Sequence, residues 1–308
     1  MEGLGANDWI KYGWSTKLSS EFTPGEPLVV DCSNYISIDY PTALDAAIQT
    51  VHTIVREYPA PYTLMCSGGV DSQAMLWAWH KSGQPYTVLS VKYISDSIWF
   101  NQHDISTLVQ FSELHSIPIT YAEFDVIEFL ENNLSAVATI NECDSPQICT
   151  HIQMTNLVPE GTAIFSGNYM SLEFQIPLTY TLLGMHRYAR QLKETSKLRV
   201  VPFFFLHTPE LSHSFKKPST NHTGYLYKCD IYSYNGFPVI AQSKKYTGFE
   251  QLKEYYDRFS DRVSRKARIV YSEKPSNRVF DLLFRYPYHT TGKSQALSKL
   301  IFAELKKE

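Results

Sequence analysis

The sequence predicts an α/β protein with an open parallel sheet flanked by helices and a C-terminal α+β extension. Short apolar segments alternate with amphipathic segments of helical length up to about residue 175, which indicates parallel strands joined by right-handed crossovers. One of these strands passes into a helix through a glycine-rich turn, and beyond residue 175 the alternation ends. We expect an N-terminal extension over residues 1–40, a core over 41–175 and a C-terminal region over 176–308.

The core elements follow from hydrophobic periodicity and end signals. Residues 42–57 have apolar residues at helical spacing, and Thr42 is placed to cap that helix. Gly83 ends a second predicted helix. Together, the pattern predicts strands at 62–66, 86–93, 119–125 and 162–166, and helices at 71–82, 104–115, 126–134 and 147–157.

The C-terminal region has a different pattern. Residues 224–243 are rich in alternating aromatic and apolar residues, and Asn235-Gly236 is typical of a tight turn, so we expect a hairpin. Helices are expected at 248–259 and 277–286.

Composition excludes several classes of protein. Of the 308 residues 44% are hydrophobic, which is enough for a substantial core. The longest apolar run, at 200–206, is too short to span a bilayer, and the first residues lack the pattern of a signal peptide. Five scattered cysteines argue against a disulfide framework. We expect a soluble cytoplasmic protein that does not associate with membranes.

The net charge of −3 conceals an asymmetry along the chain. Residues 31–173 contain 16 acidic residues but only Arg56, Lys81 and Lys92 as strong bases, whereas residues 241–308 contain 15 basic and 8 acidic residues. The two halves present either ordinary solvated faces, or a basic tail that folds over an anionic ligand held by the acidic half.

The segment "CSGGVDS" at 66–72 carries the clearest functional signal. A strand, a glycine-rich turn and a helix direct unpaired backbone N–H groups at an anion. Gly68 and Gly69 allow a phosphate close to the main chain, and Ser67 and Ser72 add hydroxyl groups. Asp71 fits beside phosphate if Mg²⁺ lies between them. The alternative is a plain strand-to-helix turn with Asp71 as helix cap.

Two other phosphate-binding loops do not fit. A Walker A loop requires a lysine after its glycines, and the "GKS" at 292–294 has Pro287 where the earlier glycine belongs. No G-x-G-x-x-G segment follows a strand, so a nicotinamide or flavin Rossmann site has no support.

The "SGGVDS" motif, in its strand-to-helix setting, resembles the PP-loop of the N-type ATP pyrophosphatases. That superfamily, whose core is HUP-like, includes asparagine synthetase, β-lactam synthetase, GMP synthetase, NAD synthetase and several tRNA- and nucleobase-modifying enzymes. The helix before the motif and the segment 145–168 are similar to the asparagine synthetase branch. The resemblance covers about residues 40–175.

The resemblance implies that ATP lies across the carboxyl ends of the parallel strands. The loop from Ser67 to Ser72, including Val70, would hold the phosphates and Mg²⁺. The backbone at Ser90 and Val91 would contact adenine, and Gly167 would lie in a second turn at the nucleotide. The family forms an adenylate with release of pyrophosphate, and an amine, ammonia or sulfur nucleophile then displaces AMP.

The sequence departs from the asparagine synthetase pattern at the second turn. Ser171 stands where the family has an aspartate that binds a second metal ion, and Glu173 is the candidate replacement. Position 2 is Glu2, so we expect no glutaminase domain. An amine or ammonia donor would then be free in solution, a partner protein or the substrate.

A cation is also required to balance the triphosphate and the departing pyrophosphate. The resemblance implies a lysine from the C-terminal region near the phosphates. The candidates lie in two predicted loops: Lys274 and Arg278 in one, Lys244 and Lys245 in the other.

Two groups of cysteines and histidines contain residue types that bind zinc, but neither has the usual C-x₂-C spacing. They are Cys143, Cys149 and His151, and His207, His213, His222 and Cys229. Cys66, at the end of a buried strand, is expected to be a core residue rather than a nucleophile.

These observations predict an ATP-dependent, AMP- and pyrophosphate-forming ligase that adenylates a small-molecule acceptor and then transfers an amine or ammonia. The first alternative is a tRNA or nucleobase thiolase or amidase of the same superfamily. It is disfavoured by the acidic core and by the lack of paired catalytic cysteines, and nucleic acid remains an open partner. The second alternative is a non-catalytic nucleotide-binding module.

Overall fold

The computed structural model describes residues 11–14, 28–31, 40–140, 146–167, 198–242 and 252. Within these residues the chain forms a two-stranded antiparallel sheet and a six-stranded, mostly parallel sheet with helices on both faces. This is the predicted α/β class. None of the helices in the described part of the chain is long and apolar enough to cross a membrane.

The strands are β1 (Lys11–Trp14), β2 (Leu28–Asp31), β3 (Tyr62–Met65), β4 (Thr87–Ser95), β5 (Ile98–Trp99), β6 (Thr120–Asp125), β7 (Thr162–Phe165) and β8 (Arg199–Val201). β1 and β2 form the small antiparallel sheet. The large sheet has the order β5-β4-β3-β7-β8, and β6 pairs with β4. Its pairings are parallel except for the β4–β5 hairpin. Because β3 lies at the centre, the turn that follows it opens at the middle of the sheet's carboxyl edge.

The helices are α1 (Ala43–Glu57), α2 (Val70–Ser82), α3 (Gln102–His115), α4 (Val126–Glu128), α5 (Leu134–Ile140), α6 (Pro146–Thr155), α7 (Pro209–Ser214) and α8 (Gly224–Tyr234). A π-helical turn, Phe129–Asn133, joins α4 to α5, and a 3₁₀ turn, Phe204–Leu206, precedes α7. The predicted core helices and strands are thus confirmed, with shifts of one or two residues at most ends. The helix predicted at 126–134 is the exception, because the helical segment continues through the π-helical turn and α5 to Ile140.

Local sequence explains the ends of the first two helices. Thr42 caps α1 through a reciprocal capping box with Asp45, as its position predicted. Gly83 ends α2 in the left-handed region with φ +70°.

The core lies on both faces of the sheet because successive strand residues point in opposite directions. On β3, Leu64 packs with α1, α2 and α8, while its neighbour Met65 packs with the segment from α4 to α6. The first face therefore brings α8, far along the chain, against the helix that follows the glycine-rich turn.

The predicted hairpin at 224–243 is wrong, because residues 224–234 form the helix α8. The alternating aromatic residues also satisfy helical spacing, and Cys229 and Tyr232 are buried on one side while Tyr234 is 60% exposed. The Asn-Gly pair ends this helix instead of turning a hairpin. The backbone N–H of Asn235 donates to the carbonyl of Ile231, and Gly236 has φ +93°.

The predicted helices at 248–259 and 277–286 lie outside the described residues, apart from the buried Leu252. The division at residue 175 stays a prediction. β8, from beyond that position, pairs in parallel with β7 and extends the same sheet.

His151 on α6 should make stability fall at low pH. Burial lowers the pKa of His151 to about 4, against 6.5 in the unfolded chain. Between these values the unfolded chain binds a proton that the folded chain does not, so the unfolding free energy should drop by about 2 kcal/mol from pH 7 to pH 5. Urea titrations of wild type and His151→Gln check this. The variant should show the smaller drop.

Candidate nucleotide site

The candidate site is the turn between β3 and α2, residues 66–69. No side chain caps the start of α2 at Gly69, so the first backbone N–H groups of the helix receive no capping hydrogen bond at the carboxyl edge of the sheet. These groups and the helix dipole favour an anion at this position.

Gly68 must be glycine for two independent reasons. Its φ of +99° is a backbone angle that residues with a side chain rarely adopt. A Cβ at this position would also lie 1.9 Å from the carbonyl oxygen of Asp104 at the start of α3. Gly69 differs from it, with φ −61° and the nearest atom to an added Cβ, the Ser67 hydroxyl, at 3.6 Å. The turn is therefore held against α3 at Gly68 and open at Gly69.

The two loop serines have different positions. Ser72 is buried, and its hydroxyl accepts from the N–H of Gly68 at 3.0 Å and donates to the carbonyl of Gly69 at 2.8 Å. It closes the loop on itself. Ser67 is exposed and accepts a long hydrogen bond of 3.4 Å from the Gly69 N–H, which makes its hydroxyl the more accessible to a ligand.

Asp71, in the first turn of α2, receives two hydrogen bonds from α8. The ammonium group of Lys228 lies 2.6 Å from Oδ2, and the hydroxyl of Tyr232 donates to Oδ1 at 2.5 Å. The side chains of Lys228 and Asp71 are 25% and 20% exposed, so the ion pair is shielded from solvent but can be reached. A carboxylate and an ammonium group thus stand together at the edge of the loop.

Gln73 connects the loop to a segment beyond α8. Its amide nitrogen donates to the carbonyl of Gly68 at 2.8 Å, and its amide oxygen accepts from the N–H of Ile240, also at 2.8 Å. The side chain is fully buried, so these bonds are protected from water. The shape of the loop therefore depends on contacts that come from far along the chain.

The edge of β4 expected to contact adenine already carries a side-chain contact. Asn101 donates to the carbonyl of Val91 at 2.8 Å and accepts from the N–H of Tyr93 at 2.8 Å. A carbonyl oxygen can accept a second hydrogen bond, so Val91 keeps capacity for a ligand. The buried hydroxyl of Ser90 has no hydrogen-bond partner within the described chain.

Of the remaining predicted site residues, Gly167 lies in the described part of the chain and the others lie outside it. Gly167 follows β7 with φ +62°, and a Cβ there would lie 2.4 Å from the ring of Phe203. This glycine is accounted for by the close packing of that ring. The predicted residues outside the described part of the chain are Glu173, Lys244, Lys245, Lys274 and Arg278.

Sequence reasoning missed Lys228, Tyr232, Gln73 and Asn101. The hairpin prediction is the reason for the first two, because a strand at 224–234 gave no reason to place Lys228 and Tyr232 next to α2. The available signal was the i, i+3, i+4, i+7 spacing of Tyr225, Lys228, Cys229 and Tyr232, which puts all four on one helical face.

The cysteines near the loop are unsuited to act as nucleophiles. Cys66 and Cys229 are both buried, and burial raises the pKa of each thiol. The thiol is the unreactive form, so the interpretation of Cys66 as a core residue agrees with its setting. Among the described residues no three His, Cys, Asp or Glu side chains are grouped as a metal site.

Comparisons with known proteins find similar chains among the solved structures. No protein-family model and no curated protein matches the chain. Among solved structures, the U34-tRNA thiolase NcsA from Methanococcus maripaludis, with its [4Fe-4S] cluster, is similar with a TM-score of 0.32 and 12% sequence identity. The match covers 75% of this chain and 80% of that chain. A functional assignment therefore has to rest on the geometry of the loop.

Proposed function

We propose that the chain is an ATP pyrophosphatase of the PP-loop superfamily, which adenylates a small-molecule acceptor, releases pyrophosphate and then transfers an amine or ammonia to it. The observation that carries the proposal is the loop itself. It combines an uncapped helix start, a glycine held against a neighbouring helix, and an Asp71–Lys228 pair at its edge.

The loop residues fit a triphosphate with its metal ion. The N–H groups at the start of α2 and the hydroxyl of Ser67 are donors for phosphate oxygens, and Gly69 leaves room for close approach. Asp71 is the carboxylate expected to hold Mg²⁺, which favours one or two carboxylates together with phosphate oxygens. Bound Mg²⁺ would neutralise charge on the phosphates. Glu173 stays the candidate for a second metal ligand.

Lys228 is suited to be the cation that the loop lacks. ATP carries a charge of about −4, Mg²⁺ offsets two of these charges, and the dipole of α2 contributes about half a charge. The ammonium group of Lys228 already lies at the loop, on a side chain long enough to turn from Asp71 toward a phosphate. We assign to Lys228 the role of the cation that balances the phosphates. The sequence suggested this role for Lys244, Lys245, Lys274 and Arg278, and for those residues it stays a prediction.

The second candidate function is that of a tRNA or nucleobase thiolase or amidase that uses the same adenylation chemistry. Both functions share the loop, ATP and the release of pyrophosphate. They differ in the acceptor and, for a thiolase, in the nucleophile, which is sulfur instead of an amine or ammonia. A non-catalytic nucleotide-binding module is the third possibility, and it would bind ATP without turnover.

One experiment separates these functions. The protein is incubated with Mg²⁺ and ATP labelled on both the α- and the γ-phosphate, together with either a metabolite extract or unmodified tRNA, and the labelled products are resolved by chromatography. We expect AMP and pyrophosphate, formed only with the metabolite extract. Formation only with tRNA would support the second function, and binding without products the third. ADP and phosphate as the only products would contradict the proposal.

A further inference from the structure

Both oxygens of the Asp71 carboxylate are engaged by side chains of α8. Lys228 holds Oδ2 and Tyr232 holds Oδ1, at 2.6 Å and 2.5 Å. Each carboxylate oxygen has two lone pairs, so the neutral hydroxyl at Oδ1 leaves room for a metal ion, whereas a metal ion near Oδ2 meets the positive charge of Lys228.

Tyr232 is the fixed donor of the two. It is fully buried, and its ring packs against Phe205, Phe215 and Phe237 with centroid distances of 5.5, 5.8 and 5.7 Å. A ring enclosed in this way cannot withdraw its hydroxyl without opening the core. Oδ1 therefore keeps its hydrogen bond and the carboxylate keeps its orientation.

Lys228 is the donor that can leave. Its side chain is 25% exposed, and its four-carbon stem allows the ammonium group to move several ångströms while α8 stays in place. An ammonium group 2.6 Å from Oδ2 fills the space that a metal ion at about 2.1 Å would need, and the two cations repel each other.

We propose that Lys228 is an internal competitor of the metal ion at Asp71. When a divalent cation is present without nucleotide, the ammonium group stays paired with the Asp71 carboxylate and excludes the cation. A nucleotide supplies phosphate oxygens as a new partner for Lys228, so the metal ion and the nucleotide enter together. The nucleotide half of this exchange rests on the proposed function, whereas the competition at Asp71 rests on the ion pair alone.

The competition is tested with Mn²⁺ in the absence of nucleotide, with free Mn²⁺ followed by electron paramagnetic resonance. Lys228→Met keeps the length of the side chain and removes the charge, so it should bind Mn²⁺ at least tenfold more tightly than wild type. Lys228→Arg keeps a cation at the loop and should bind Mn²⁺ as weakly as wild type. Asp71→Asn added to Lys228→Met should return the affinity to that of wild type, which places the gained site at Asp71.

Equal Mn²⁺ affinity in wild type and Lys228→Met would overturn the proposal, and so would a gain that persists when Asp71 is replaced. Thermal unfolding establishes that each variant is folded, and Lys228→Gln replaces the methionine variant if that one is not. A further titration with Mn²⁺ and a non-hydrolysable ATP analogue tests the nucleotide half. In wild type the analogue should tighten Mn²⁺ binding more than in Lys228→Met. If the analogue has no effect on either protein, the proposed function fails while the titration without nucleotide still decides the competition.

Discussion

Gly68→Ala should abolish ATP binding and destabilise the protein. The variant would force a side chain into a backbone conformation with φ +99° and place its Cβ 1.9 Å from the Asp104 carbonyl oxygen. The backbone conformation alone costs roughly 1–3 kcal/mol, and the overlap requires the loop to move away from α3. A displaced loop no longer aims the N–H groups of α2 at a phosphate. Calorimetric titration with Mg·ATP and urea unfolding measure the two effects.

Two other glycines provide matched controls. Gly83→Ala has a similar backbone cost at φ +70°, but no atom lies within 4 Å of the added Cβ and the residue is at the far end of α2. It should lose stability and keep ATP affinity. Gly69→Ala, in the loop but with φ −61° and only an ordinary contact of the added Cβ with the Ser67 hydroxyl at 3.6 Å, should keep the fold. If Gly68→Ala binds ATP as Gly83→Ala does, the loop is not the nucleotide site.

Lys228→Met should lower kcat for pyrophosphate release by about a hundredfold or more, with a much smaller change in ATP affinity. Before reaction the ammonium group exchanges one anionic partner for another, so its net effect on binding is small. Its contact with the phosphates strengthens as charge develops on the departing pyrophosphate. Steady-state kinetics, together with direct measurement of the ATP dissociation constant, separate the two quantities.

Lys81→Met is the matched control for this prediction. Lys81 is in the last turn of α2, at the opposite end of the helix from the loop, where its ammonium group lies over the ring of Trp77. The variant should keep the kcat of wild type. A Lys228→Met enzyme with unchanged kcat would return the catalytic cation to the candidates of the C-terminal region, Lys274 and Arg278 or Lys244 and Lys245.

Most of the core elements could be predicted because their signals are local. The capping box at Thr42 and the glycine at position 83 act within a few residues of the helix ends that they define. The order of strands and helices then leaves a parallel sheet as the consistent arrangement. The same locality makes the 67–72 loop visible, since its serines, glycines and aspartate are consecutive.

The segment 224–236 shows where local signals fail. Its aromatic residues fit both a two-residue and a 3.6-residue period, and an Asn-Gly pair suits both a hairpin turn and the end of a helix. Tertiary packing decided between them, because as a helix the segment buries Cys229 and Tyr232 against Phe205 and Phe237 on the same face of the sheet as α2.

By itself, the sequence determined the position and composition of the candidate loop: a turn after a strand whose glycines, hydroxyls and acid lie within seven residues. Only the tertiary structure decided what surrounds it. Lys228 is 157 positions from Asp71, and the Asp104 carbonyl that requires Gly68 to be glycine belongs to another helix. Contacts of this kind depend on how buried faces pack, and a pair of distant residues leaves no mark in the local pattern of either one.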